Sequence, residues 1–177
     1  LRQPVDPMAG LAVQRVVAQG ASQSAGRLAT YVNAIQPLSR ACDGFILQIY
    51  FGTGSALEVG DTVVNINTAP SVRPRDRMRG SNLLRDDLGV PVFVVNSELE
   101  AIACYPARQP DTDTFRYWES AGTCHVSAQG MRVRQDKFIR DGIRVLPLPQ
   151  GINRIPILPL YDAAFHHLQR WLTEGRP

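Results

Sequence analysis

The stretch that most constrains this chain is residues 16–28, where the apolar run Val16-Val17-Ala18 closes at Gly20, presents Ser22 and restarts with helical spacing. A serine forced onto a tight strand-to-helix turn is strained, and backbone passes close to the positions two residues away, so these must be small. Gly20 and Ser24 meet that demand, although Ser24 stands where the commoner pattern has glycine. The same turn sets Ser22 at the start of a helix. There the N–H of Gln23 points toward the spot where charge develops when a carbonyl is attacked, supplying half of an oxyanion hole. Alone, a pentapeptide of this kind is more often an ordinary small-residue turn.

The rest of the chain supplies context. Residues 1–11 carry Pro4, Pro7 and Gly10 and read as a connection, and 13–19 as a strand covered on both faces of a parallel sheet. After Ser22, Leu28, Tyr31, Val32 and Ile35 recur at three- and four-residue steps, predicting a helix over about 24–36 that stops at Pro37. A second buried strand is expected over 45–51. Residues 53–88 break into glycine, proline and charge, with a short edge strand at 62–67, and read as an irregular excursion over the sheet's carboxyl edge, more often a solvated surface loop than a lid or pocket loop. A third strand spans 91–96 and ends at Ser97-Glu98-Leu99-Glu100. A fourth spans 115–119 and is followed by Gly122-Thr123-Cys124-His125. Residues 126–150 carry no assignable period, and a last helix over about 160–173 stops at Gly175. Strand, helix, strand in this order implies an α/β fold: a mostly parallel sheet with flanking helices, in a single domain over residues 1–177.

With 44% hydrophobic and 20% charged residues the chain has the composition of an ordinary globular domain. Its net charge of +3 is spread among nearly as many carboxylates, so no basic stripe for nucleic acid stands out. Three scattered cysteines, Cys42, Cys104 and Cys124, make neither a disulfide framework nor a metal site. His166 and His167 point about 100° apart on a helix and make poor joint ligands. No apolar run approaches the ~20 residues of a membrane span. The chain starts at Leu1 on a turn-rich leader, which reads as a piece of a longer polypeptide. The compartment is then open, with the cytoplasm as default, and the oligomeric state is not legible.

In open α/β sheets functional groups gather at the carboxyl ends of the strands. Ser22, Glu98 or Glu100, and His125 all occupy such ends, in the order serine, acid, histidine that α/β-hydrolases use. The blocks Gly20–Leu28, Asp43-Gly44-Phe45, Ala107–Asp111, Phe115–Glu119 and Gly122–His125 together resemble a branch of the α/β-hydrolase superfamily labelled alpha/beta hydrolase domain, from about Gly10 to the end of the chain. The resemblance implies the C-terminal half of that fold. It also implies Ser22 as nucleophile, His125 as general base, and Glu100 as the orienting acid with Glu98 as the alternative. The second oxyanion donor would come from a segment preceding this one. It implies a serine hydrolase acting on a small-molecule ester through an acyl-enzyme, with no cofactor, metal, nucleic acid or membrane.

Two rivals accompany that reading. A dinucleotide-binding domain also uses a strand, a small-residue turn and a helix, but expects glycine where Ser22 and Ala25 stand and an acid where the next strand ends Ile49-Tyr50-Phe51. The other is a non-catalytic fragment that at most binds a partner along its sheet edge.

Overall fold

A computed structural model describes residues 8–54, 58–59, 62–63, 83–145, 147–148 and 150–177. Strand β1 (Val17–Ala21) leads into helix α1 (Gln23–Thr30), which continues through a π-turn (Tyr31–Ile35) into the short α2 (Gln36–Ser39). Then come β2 (Gly44–Gln48), the two-residue strands β3 (Glu58–Val59) and β4 (Thr62–Val63), β5 (Val92–Ser97) and helix α3 (Glu98–Cys104). Strand β6 (Phe115–Ser120), helix α4 (Ala128–Arg140) and helix α5 (Leu158–Glu174) complete the chain.

The main sheet has the order β1-β2-β5-β6 and every pairing in it is parallel. The expected α/β architecture, a parallel sheet with flanking helices, is therefore observed. Alternation along the two central strands explains the layers. Phe45 and Leu47 of β2, with Val92 and Val94 of β5, pack with Ala25, Ala29 and Val32 of the first helical segment and with Cys104 of α3. Ile46, Phe93 and Val95 face the other way, onto Ala164, Leu168 and Trp171 of α5. Each fully buried Phe, Ile or Leu contributes roughly 1.5–3 kcal/mol. Phe93 also meets Trp118 edge-on, with centroids 4.7 Å apart.

Several boundaries differ from the sequence reading. The first strand starts at Val17, not at residue 13, and is not covered on both faces. Val13, Val16 and Val17 are exposed, since β1 lies at one end of the described sheet and an apolar run reads alike whether covered or open. The helix runs past Pro37. A proline ring collides with the carbonyl four residues back, and the wider π-turn, with Gln36 N–H on Tyr31 O, relieves that collision. The β2 strand ends early because Ile49 turns to φ +44°. Thr62–Val63 does not join the main sheet as an edge strand but pairs antiparallel with Glu58–Val59. Residues 64–67 of that expected strand, and most of the excursion over 53–88, lie outside the described residues. The stretch 126–150 holds α4, whose polar sequence hides its period; Ser127 caps it, accepting from Gly130 N at 3.3 Å.

Candidate active site

The carboxyl ends of β1, β5 and β6 each deliver one side chain to the same place. Ser22, directly after β1, sits at φ 57° and ψ −121°, a conformation that costs an L-residue of order 1–3 kcal/mol. The surroundings hold it there: Ser22 N–H donates to Gln48 O at 3.0 Å, and its own carbonyl accepts from Ala25 N at 3.0 Å and Gly26 N at 3.3 Å. The turn is so tight that a Cβ on Gly20 would stand 2.6 Å from the Ser24 carbonyl oxygen. Ala25 and Ala29, with no exposed surface, let α1 close down onto the sheet. Gln23 is the first residue of that helix.

At the end of β5, Ser97 and Glu100 are fully buried. The spacing Ser-x-x-Glu is that of a helix capping box, but here Ser97 Oγ donates to the Glu100 carboxylate instead of capping α3. The other carboxylate oxygen, Oε1, lies 2.7 Å from His125 Nδ1. His125 follows β6 in a turn, and its Nε2 lies 2.9 Å from Ser22 Oγ. Ser22, His125 and Glu100 thus form one hydrogen-bonded chain. Glu98 is not on the imidazole; its Oε2 accepts from Gly122 N at 2.7 Å. The two carboxylates lie two residues apart on a helix, hence about 200° apart in direction.

A carboxylate on Nδ1 calls for the proton on that nitrogen, which leaves the lone pair of Nε2 facing the serine hydroxyl. In that state the pair can pass a proton from Oγ to the ring. The imidazole is partly exposed, at 28%, while the Glu100 side chain is at 0%. The acid is therefore kept from water, while part of the ring is open to it.

Three further residues stand around these groups without having been expected there from the sequence. Phe51, just beyond β2, lays its ring 5.4 Å from that of His125 at 33°, and an aromatic at a strand end between two active strands was the available clue. Asn96 pins the end of β2 by accepting from Tyr50 N at 2.7 Å and donating to Tyr50 O at 3.0 Å. Tyr161 of α5 has a buried hydroxyl with no hydrogen-bond partner among the described residues. Its phenol is pushed well above the usual range by burial and then by the charge of Glu100.

The remaining candidates take structural places. Cys124 donates from Sγ to Val126 O at 3.1 Å, and all three cysteines are free. His166 and His167 are exposed on α5, the latter edge-on to Trp118 at 5.4 Å. Asp111 ties its loop to β6 by accepting from Tyr117 N at 3.1 Å, and Arg108 lies over the Tyr117 ring. Among the described residues, no three His, Cys, Asp or Glu cluster in a way that could hold a metal, and no helix is long and apolar enough to cross a membrane. A cavity of about 520 Å³ borders α4 and the segment before α5, lined by Ala128, Arg132, Ile152 and Arg154 among others. Ser22 and His125 are not in its wall.

The chain matches a family model described as Alpha/beta hydrolase domain over residues 1–177. No curated protein and no solved structure matches it.

Proposed function

The chain belongs to the alpha/beta hydrolase domain family, and from that premise we propose that it is a serine hydrolase that cleaves carboxylic esters through an acyl-enzyme on Ser22. One observation carries this reading: a serine in a strained backbone turn, 2.9 Å from an imidazole whose other nitrogen lies 2.7 Å from a fully buried carboxylate.

In the first step Ser22 Oγ attacks the ester carbonyl carbon while His125 Nε2 takes its proton. The imidazolium is held by Glu100, which Ser97 holds in turn. Collapse of the tetrahedral intermediate expels the alcohol, which leaves with the proton from Nε2. In the second step His125 takes a proton from water, the hydroxide attacks the acyl carbon, and the carboxylic acid departs as Ser22 recovers its hydrogen. The backbone N–H of Gln23 is one of the oxyanion donors in this reading, and a single such donor is worth ~10²–10³ in rate.

A fluorophosphonate probe tests it. Labelling of Ser22 that disappears in Ser22→Ala, together with loss of p-nitrophenyl ester hydrolysis in that variant, is the expected result. Equal hydrolysis by wild type and Ser22→Ala would overturn it.

A further inference from the structure

The imidazole of His125 is placed by a loop with no ladder of its own, running from the turn Ala121-Gly122 to the start of α4. The geometry points to Asn153 and Glu98 as positioning residues for His125, clamping the two ends of that loop; this rests on the hydrolase reading for its effect on rate, though not for the clamp itself.

The peptide units around Gly122 are held from both directions. Gly122 N–H donates to Glu98 Oε2 at 2.7 Å, and its carbonyl accepts from Asn153 Nδ2 at 2.5 Å. The far end of the loop is held by the same asparagine, whose backbone carbonyl accepts from Ala128 N at 2.7 Å. Asn153 is itself fixed, since its Oδ1 accepts from Ile155 N at 2.8 Å. Gly122 stands at φ +73°, and a Cβ there would come within 2.9 Å of Ile155 Cδ1, so the turn fits closely against the segment that Asn153 organises. Residue 153 must donate and accept at once from one short side chain, and asparagine does this where aspartate, with acceptors only, does not.

Glu98 adds the link to the acid. It stands in the first turn of α3, the helix that also carries Glu100. A single rigid helix therefore sets both the carboxylate facing His125 Nδ1 and the turn from which His125 departs. The gap between the two is fixed by the helix rather than by the loop. Loosening either end lets the ring drift from Ser22, and misplacement by about 1 Å costs about 10²-fold in turnover.

The test compares Asn153→Ala and Asn153→Asp, the latter nearly isosteric, with Glu98→Ala and Glu98→Gln, of which Gln retains an acceptor for Gly122 N–H. Two readouts are independent of activity: amide hydrogen exchange at Gly122 and Ala128, and the ring ¹⁵N and Nδ1 proton resonances of His125. A third is the kcat and KM of ester hydrolysis. In folded Asn153→Asp and Asn153→Ala, exchange at Ala128 or Gly122 should rise about tenfold or more and the His125 resonances should shift. Turnover should fall about 10- to 100-fold with KM nearly unchanged. Glu98→Gln should recover what Glu98→Ala loses. Unchanged exchange and unchanged His125 resonances in both Asn153 variants would overturn the clamp whatever the activity does. Changed resonances in a protein whose wild type neither labels nor hydrolyses would leave the clamp standing and remove only the hydrolase reading.

Discussion

Glu100, with no exposed surface, holds its Oε1 2.7 Å from Nδ1 of His125. A carboxylate in that place dictates which ring nitrogen carries the proton. Glu100→Gln can offer an N–H to Nδ1 instead, which moves the ring proton to Nε2 and removes the base facing Ser22. The equivalent acid-to-amide change in chymotrypsin-type triads lowers turnover about 10⁴-fold, and a fall of order 10³–10⁴ in kcat/KM for a p-nitrophenyl ester is expected here. Glu98→Gln should stay close to wild type in the same assay.

The serine turn leaves no room for a methyl group. Gly20→Ala would push a Cβ into the backbone of Ser24 and Ala25, neither of which can move without distorting α1. A loss of about 1–3 kcal/mol is expected. Urea unfolding monitored by circular dichroism checks this, and a midpoint equal to wild type would contradict it.

Tyr161 buries a hydroxyl that finds no partner among the described residues. Leaving a polar atom so placed costs about 1–3 kcal/mol. Tyr161→Phe should therefore stabilise the fold, raising Tm by about 2–4 °C per kcal/mol gained in a chain of this size. Differential scanning calorimetry is the check, and a lower Tm would show that the phenol has a use.

Burial pushes the Cys104 thiol up from its ordinary 9.0 to about 11. At pH 8 only about one thiol in 10³ would be ionised, so Cys104 should resist iodoacetamide in the folded protein and react on unfolding. The sign of the linked stability follows: between about pH 9 and 11 the folded state binds more protons at this site than the unfolded one. Stability therefore falls as pH rises through that window. Peptide mapping after alkylation at pH 8 and pH 10 reads the first effect, and urea midpoints over the same range read the second.

Much of the layout was legible because strands buried between two helical layers must be apolar on both faces, as Phe45-Ile46-Leu47 and Val92-Phe93-Val94-Val95 are. The small residues around Ser22 were legible for a similar reason, since close backbone contact tolerates nothing larger. What was hidden depends on direction rather than composition. Glu98 and Glu100 read alike in sequence, and only the pitch of α3 turns one to His125 and the other to Gly122. Helix α4 has few buried positions, Ala128 alone being buried, so it shows no apolar stripe to read. The passage through Pro37 was missed because a π-turn has no sequence signature of its own.

The strand order carries one more consequence. Ser22 follows β1 and Glu100 follows β5, and β2 runs between them. The serine and the acid are thus rooted two strand spacings apart, about 10 Å in a regular sheet, and His125 with its two hydrogen bonds is the calliper set across that width. A sheet can change its twist or slide a helix without altering the distance between neighbouring strands, because backbone hydrogen bonds hold it. The span that the imidazole must bridge is therefore set by a stiff dimension of the sheet, and Asn96, by fastening the end of β2 to β5, keeps it so up to the rim where Phe51 meets the ring.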